Sequence, residues 1–148
     1  MIYIAICAGI LILDILTKIW ATDVLKGLVT IPLWQNVFHL TYVENTGAAF
    51  GSFQGNRVFL VAVTLIAIVA GCVFLAKNRN KSLLSVGTAF VLGGALGNLL
   101  DRVFRGFVVD MLDFRLINFP VFNVADIFVC LGAALIVIYI IFFEDKKD

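Results

Sequence analysis

The chain has 148 residues, 62% hydrophobic and 14% charged, with a net charge of +1 and a single histidine. Soluble domains are about half apolar and about a quarter charged, so this composition excludes them and specifies an integral membrane protein. The balanced charge leaves no basic surface for nucleic acid. His39 alone cannot supply a His-rich metal site or a Ser-His triad, and no metal or organic cofactor is expected.

A helix crosses the hydrocarbon with about 20 mostly apolar residues. Four stretches qualify: 2–22, 57–76, 83–103 and 120–143. The first lacks a basic leader and a small-x-small cleavage site, so it reads as a retained span rather than a removed signal peptide. It carries Asp14 and Lys18 at i, i+4, a spacing that stacks them on one face where each offsets the other's charge. That pair serves either as a structural ion pair or to orient a substrate or a neighbouring helix.

The segment that follows holds "NVFHLTYVEN", with Phe38, Leu40 and Tyr42 on one side and His39 and Thr41 on the other. Alternation with period two predicts a half-buried strand. It runs into "ENTGAAFGSFQGN", rich in small residues and turn formers, where Asn45 offers an amide. The second span is nearly uninterrupted and ends at "KNRNK".

The third span contains "GGALG", in which Gly93 and Gly97 form a small-xxx-small pair suited to close helix approach. Beyond it, Asn98 and Asp101 stand at i, i+3, with Arg102 next to them. "GFVVDMLDF" then supplies Asp110 and Asp113. Pro120 suits the first turn of the fourth helix, and Asn123 and Asp126 repeat the amide–carboxylate spacing there. Cys7, Cys72 and Cys130 are far apart in apolar runs and read as small buried hydrophobes.

Lys77, Arg79 and Lys81 in the short connector, with Lys146 and Lys147 in the tail, place both termini in the cytoplasm. Segments 23–56 and 104–119 then lie outside, although Arg102, Arg105 and Arg115 dilute the rule. The expected fold is an all-α membrane protein of four transmembrane helices, one domain over 1–148, with a small extramembrane β element on the outer face.

Carboxylates beside lipid are costly and usually functional. Two within hydrogen-bonding reach cannot both ionise cheaply, so they share a proton near neutral pH. The ionised one can activate water while the protonated one donates to a carbonyl, which is peptide hydrolysis by an aspartic mechanism. Spacing alone leaves Asp101, Asp110 and Asp113 open as partners of Asp126. A proton-coupled transporter with Asp14, Asp101 and Asp126 as a relay is the alternative, and a non-catalytic assembly subunit a third reading. No HExxH occurs, and Ser82 and Ser85 are far from Lys18, which argues against zinc and Ser-Lys chemistry.

The blocks "DILTK" (14–18), "ENTGAAFG" (44–51), "GGALGNLLDR" (93–102), "VVDMLDF" (108–114) and "FNVADI" (122–127) stand in an order that resembles the bacterial lipoprotein signal peptidases, or signal peptidase II, over essentially the whole chain. The resemblance implies an aspartic endopeptidase of the bacterial cytoplasmic membrane. Such an enzyme cuts the signal peptide from prolipoproteins, just before a cysteine that already carries diacylglycerol, at the outer leaflet. It implies Asp110 and Asp126 as the catalytic dyad. It also implies that Asp14, Lys18, Asn45, Gly47, Asn98, Asp101, Arg102 and Asn123 line or brace the pocket, with Asn45 and Arg102 on the substrate backbone.

The partners are then the prolipoprotein and membrane lipid, and the enzyme is expected to be a monomer. An apolar surface for the acyl chains is expected from the glycine-rich third helix with Phe50 and Phe53. The strand-and-loop cap at 31–56 is expected to hold substrate over the dyad.

Overall fold

A computed structural model describes residues 1–48 and 52–144; Phe50, Lys146 and Lys147 lie outside the described residues. The order is α1 (Ile2–Leu25), β1 (Ile31–Trp34), β2 (Phe38–Asn45), α2 (Arg57–Asn78), α3 (Ser82–Phe104), β3 (Val108–Phe114) and α4 (Val124–Phe143). All four helices are long and apolar enough to cross a membrane.

The third helix is the centre of the bundle. In its most apolar window 56% of residues are buried inside the protein, against 17%, 6% and 11% in α1, α2 and α4. Lipid is as apolar as leucine, so helices associate through close packing rather than hydrophobic exclusion, and small residues permit it. Gly93 faces Ile10 and the carbonyl of Cys7 on α1, and Gly94 faces the carbonyl of Ala125 on α4. The glycines are therefore filled by neighbouring helices and are not an acyl-chain surface. Phe53 packs on Phe59 of α2 rather than on α3. Cys72 and Cys130 are exposed on the helix surfaces and Cys7 is half-buried, so the expectation that all three are buried is corrected.

The fourth helix starts at Val124 rather than 120, and Pro120 is not in its first turn. The backbone of Phe122 pairs with Leu112 instead, which keeps the approach to the helix extended. Asn123 is the N-cap, and its side chain and that of Asp126 reciprocally bind each other's backbone N–H. This capping box satisfies two donors that a helix start leaves orphaned.

The three strands form an antiparallel sheet, β1-β2-β3, at the end of the bundle where α1 and α3 finish and α4 begins. Leu40 is opposite Leu112 but Val43 is opposite Asp110, so a bulge adds one residue to β2 between them. Leu40 and Tyr42 pack on the same core cluster while His39 and Thr41 both meet Thr30, so the predicted alternation holds as far as Tyr42 and is broken before Val43. Because a bulge re-aims every later side chain, Asn45 comes to face Asp110. Val109 and Met111 pack on Ala21 and Leu25 of α1, fastening the sheet to the bundle.

Candidate active site

Asp110 sits in the middle of β3 with 2% of its surface exposed. Both its oxygens accept hydrogen bonds: Asn45 Nδ2 donates to Oδ2 at 2.9 Å and Asn123 Nδ2 donates to Oδ1 at 2.6 Å. Burial pushes the Asp110 carboxyl up to about 6; the Asn45 bond opposes this, the Asp126 charge adds to it, and the Asn123 bond opposes it again.

Asp126 is the third residue of α4. Its Oδ2 accepts from Asn123 N at 3.2 Å and its Oδ1 from Asn98 Nδ2 at 2.8 Å. It lies at the positive end of the α4 dipole, where negative charge is stabilised. A single amide, that of Asn123, thus reaches both carboxylates' surroundings.

The loop after β2 is held in the same way. Asn45 Oδ1 accepts from Gly47 N at 2.9 Å, which turns its Nδ2 toward Asp110. Arg102 Nη2 donates to Gly47 O at 3.0 Å, and its buried Nε has no partner among the described residues. A cavity of about 800 Å³ is lined by Asn45, Asn98, Arg102, Asp110 and Asp126 on its polar side. Its apolar wall includes Val43, Phe119, Phe122, Ile127, Cys130 and Leu131, and so extends along the first turns of α4.

The remaining expected site residues stand behind that cavity. Lys18 Nζ lies 2.8 Å from Asp14 Oδ2, 3.2 Å from Asp101 Oδ2 and 2.9 Å from Asn98 Oδ1. Asp14 and Lys18 are 0% and 2% exposed, and neither lines the cavity. Asp101 faces Lys18, Arg105 and the backbone N–H of Val109, and Asp113 is held by Thr41 and Arg115; neither is set against Asp126. The apolar lining at 119–122 and Val43 was missed from the sequence. Its residues carry no polar signature in a chain that is apolar nearly throughout.

A model of the family described as "Signal peptidase (SPase) II" matches residues 6–142. The chain is 48% identical to the lipoprotein signal peptidase of Clostridioides difficile strain 630, covering 99% of both chains. It is likewise 48% identical to that of Clostridium acetobutylicum, over 98% of this chain and 96% of the relative. A solved bacterial membrane enzyme at 30% identity superposes with a TM-score of 0.91 over 99% of this chain and 91% of its own. These matches overturn the transporter reading, and the acids, gathered at the sheet end, do not form a relay through the membrane depth. The chain is a multi-pass bacterial membrane protein and belongs to the signal peptidase II family of aspartic peptidases.

Proposed function

We propose that the chain removes the signal peptide from diacylglyceryl prolipoproteins, with Asp110 and Asp126 as its catalytic dyad. The observation that carries this is the pair of carboxylates at one cavity whose far wall is apolar. Asp126, at the helix N-terminus, is assigned the general base, and Asp110, whose carboxyl is pushed up to about 6, is assigned the proton donor in the pH range below that value.

In the reaction Asp126 takes a proton from water as its oxygen attacks the scissile carbonyl carbon, and Asp110 gives its proton to the carbonyl oxygen. The tetrahedral intermediate collapses as Asp110 regains that proton and Asp126 delivers its own to the leaving amine. The C–N bond breaks and the starting protonation is restored. Arg102 and Asn45, both lining the cavity, offer donors to substrate carbonyls. The acyl chains run along Phe122, Ile127, Cys130 and Leu131 of the cavity wall. The connector cations Lys77, Arg79 and Lys81 support an orientation with the termini in the cytoplasm and the dyad at the outer leaflet. The enzyme acts as a monomer.

Purified protein in detergent tests this on a prolipoprotein with and without its diacylglyceryl group. Cleavage of the lipidated form alone is expected, lost in Asp110→Asn and Asp126→Asn and partly kept in Asp101→Asn. Activity surviving in Asp110→Asn would remove it from the dyad.

A further inference from the structure

We propose that Lys18, which does not touch the cavity, is a positioning residue that fixes which end of the Asn98 amide faces Asp126. This rests on the peptidase reading above. An ammonium has three donors and no acceptor. Lys18 Nζ donates to Asn98 Oδ1 at 2.9 Å and stands at ion-pair distance from Asp14 Oδ2, 2.8 Å, and Asp101 Oδ2, 3.2 Å. The Asn98 atom that faces it must therefore be oxygen, and the amide nitrogen is left to donate to Asp126 Oδ1 at 2.8 Å.

The opposite orientation would aim a carbonyl at the carboxylate that has to activate water. Asn123 Nδ2 reaches the same Asn98 oxygen at 3.1 Å, but that nitrogen is bound more closely to Asp110 at 2.6 Å. Lys18 pairs with Asp14, Asp101 and Asn98, none of which is a member of the dyad.

Its two acids are anchored in turn to the backbone beside each catalytic carboxylate. Asp14 Oδ1 accepts from Ala125 N at 3.0 Å, next to Asp126, and Asp101 Oδ2 accepts from Val109 N at 3.0 Å, next to Asp110. Gly97 completes the device, since a methyl there would overlap Asp14 Oδ2. The small-xxx-small spacing thus makes room for a carboxylate as well as for a helix.

The test is a double-mutant cycle of Lys18→Met and Asn98→Ala on the lipidated substrate, with kcat and KM measured separately. Lys18→Met is expected to lower kcat about 30-fold with KM changed less than about threefold, and to cost less than about threefold more in the Asn98→Ala background. An equal cost in both backgrounds, or an effect confined to KM, would overturn the proposal. Should Lys18→Met not fold, Gly97→Ala displaces Asp14 from Lys18 and takes its place in the cycle under the same criteria. Failure of that variant to fold as well would make the cluster a support of the fold and overturn the proposal. A wild type that leaves the lipidated substrate uncut would sink the peptidase reading itself.

Discussion

Asn123 donates to Asp110 across 2.6 Å with the same side chain whose oxygen caps the helix carrying Asp126. One residue therefore sets the position of a strand carboxylate and a helix carboxylate together. Holding such groups in place before substrate arrives lowers the cost of orienting them during reaction. The two jobs are separable. Serine at 123 keeps a capping oxygen but has no amide to reach Asp110. Asn123→Ser should leave stability within about 1 kcal/mol of wild type while turnover collapses, whereas Asn123→Ala should lose both, the cap contributing about 1 kcal/mol. Thermal midpoints beside turnover numbers check this; full activity in the serine variant would remove the amide from the mechanism.

The pH dependence of cleavage follows from Asp110. Its carboxyl is pushed up to about 6 by burial, with the Asp126 charge adding to this and the Asn45 and Asn123 bonds opposing it. It must be protonated to donate, so kcat/KM, which reports the free enzyme, should fall as pH rises through about 6. The limb in kcat should lie higher, because bound substrate excludes water and disfavours the charged form further. Asn45→Ala removes a donor that favours the ionised form and should move the kcat/KM limb upward. A profile flat to pH 8 in the wild type would contradict the assignment.

The same shift costs stability. Because the folded carboxyl titrates near 6 rather than 3.8, stability is highest below the unfolded value and is lost as pH rises through the folded one. A difference of that size corresponds to about 3 kcal/mol at neutral pH. Asparagine at 110 does not titrate, although one of the two amide donors facing it then meets another donor. The cost of that contact is the same at every pH. The stability of Asp110→Asn relative to wild type should thus improve by about 2.4 kcal/mol between pH 4 and pH 7.5. Denaturation in detergent at the two pH values measures it, and no change in the difference would mean that Asp110 is not the strained acid.

Much of this arrangement was legible in the sequence. Four apolar runs gave four helices, and the amide–carboxylate spacings at Asn98 and Asn123 lie at the cavity. The third strand was not foreseen, because Val108–Phe114 is buried on both faces and so lacks alternation. The bulge that brings Asn45 onto Asp110 left no local signature either. The start of α4 was misplaced at Pro120, whose fixed φ suits an extended approach as well as a first helical turn; the capping pair Asn123 and Asp126 was the stronger signal. Asp101 was separable from Asp110 only by family resemblance, since what sets it apart is its contact with Lys18 from another helix.

The packing of α4 on α3 offers a contrast between two glycines. A methyl at Gly94 would overlap the carbonyl of Ala125 and lie 2.8 Å from Val129 Cγ2, both on α4, whereas one at Gly9 on α1 meets nothing within 4 Å. Backbone cannot yield as a flexible side chain does, so Gly94→Ala should destabilise by about 1–3 kcal/mol through overpacking. Ala125 stands beside Asp126 and donates to Asp14, so a shift of α4 there reaches the dyad and activity should fall with stability. Gly9→Ala removes a poor helix former at no steric cost and should be neutral or stabilising by up to about 1 kcal/mol. Thermal unfolding of the two variants side by side, with cleavage measured on each, decides the point. Equal behaviour would show that α4 is not seated on α3 through Gly94.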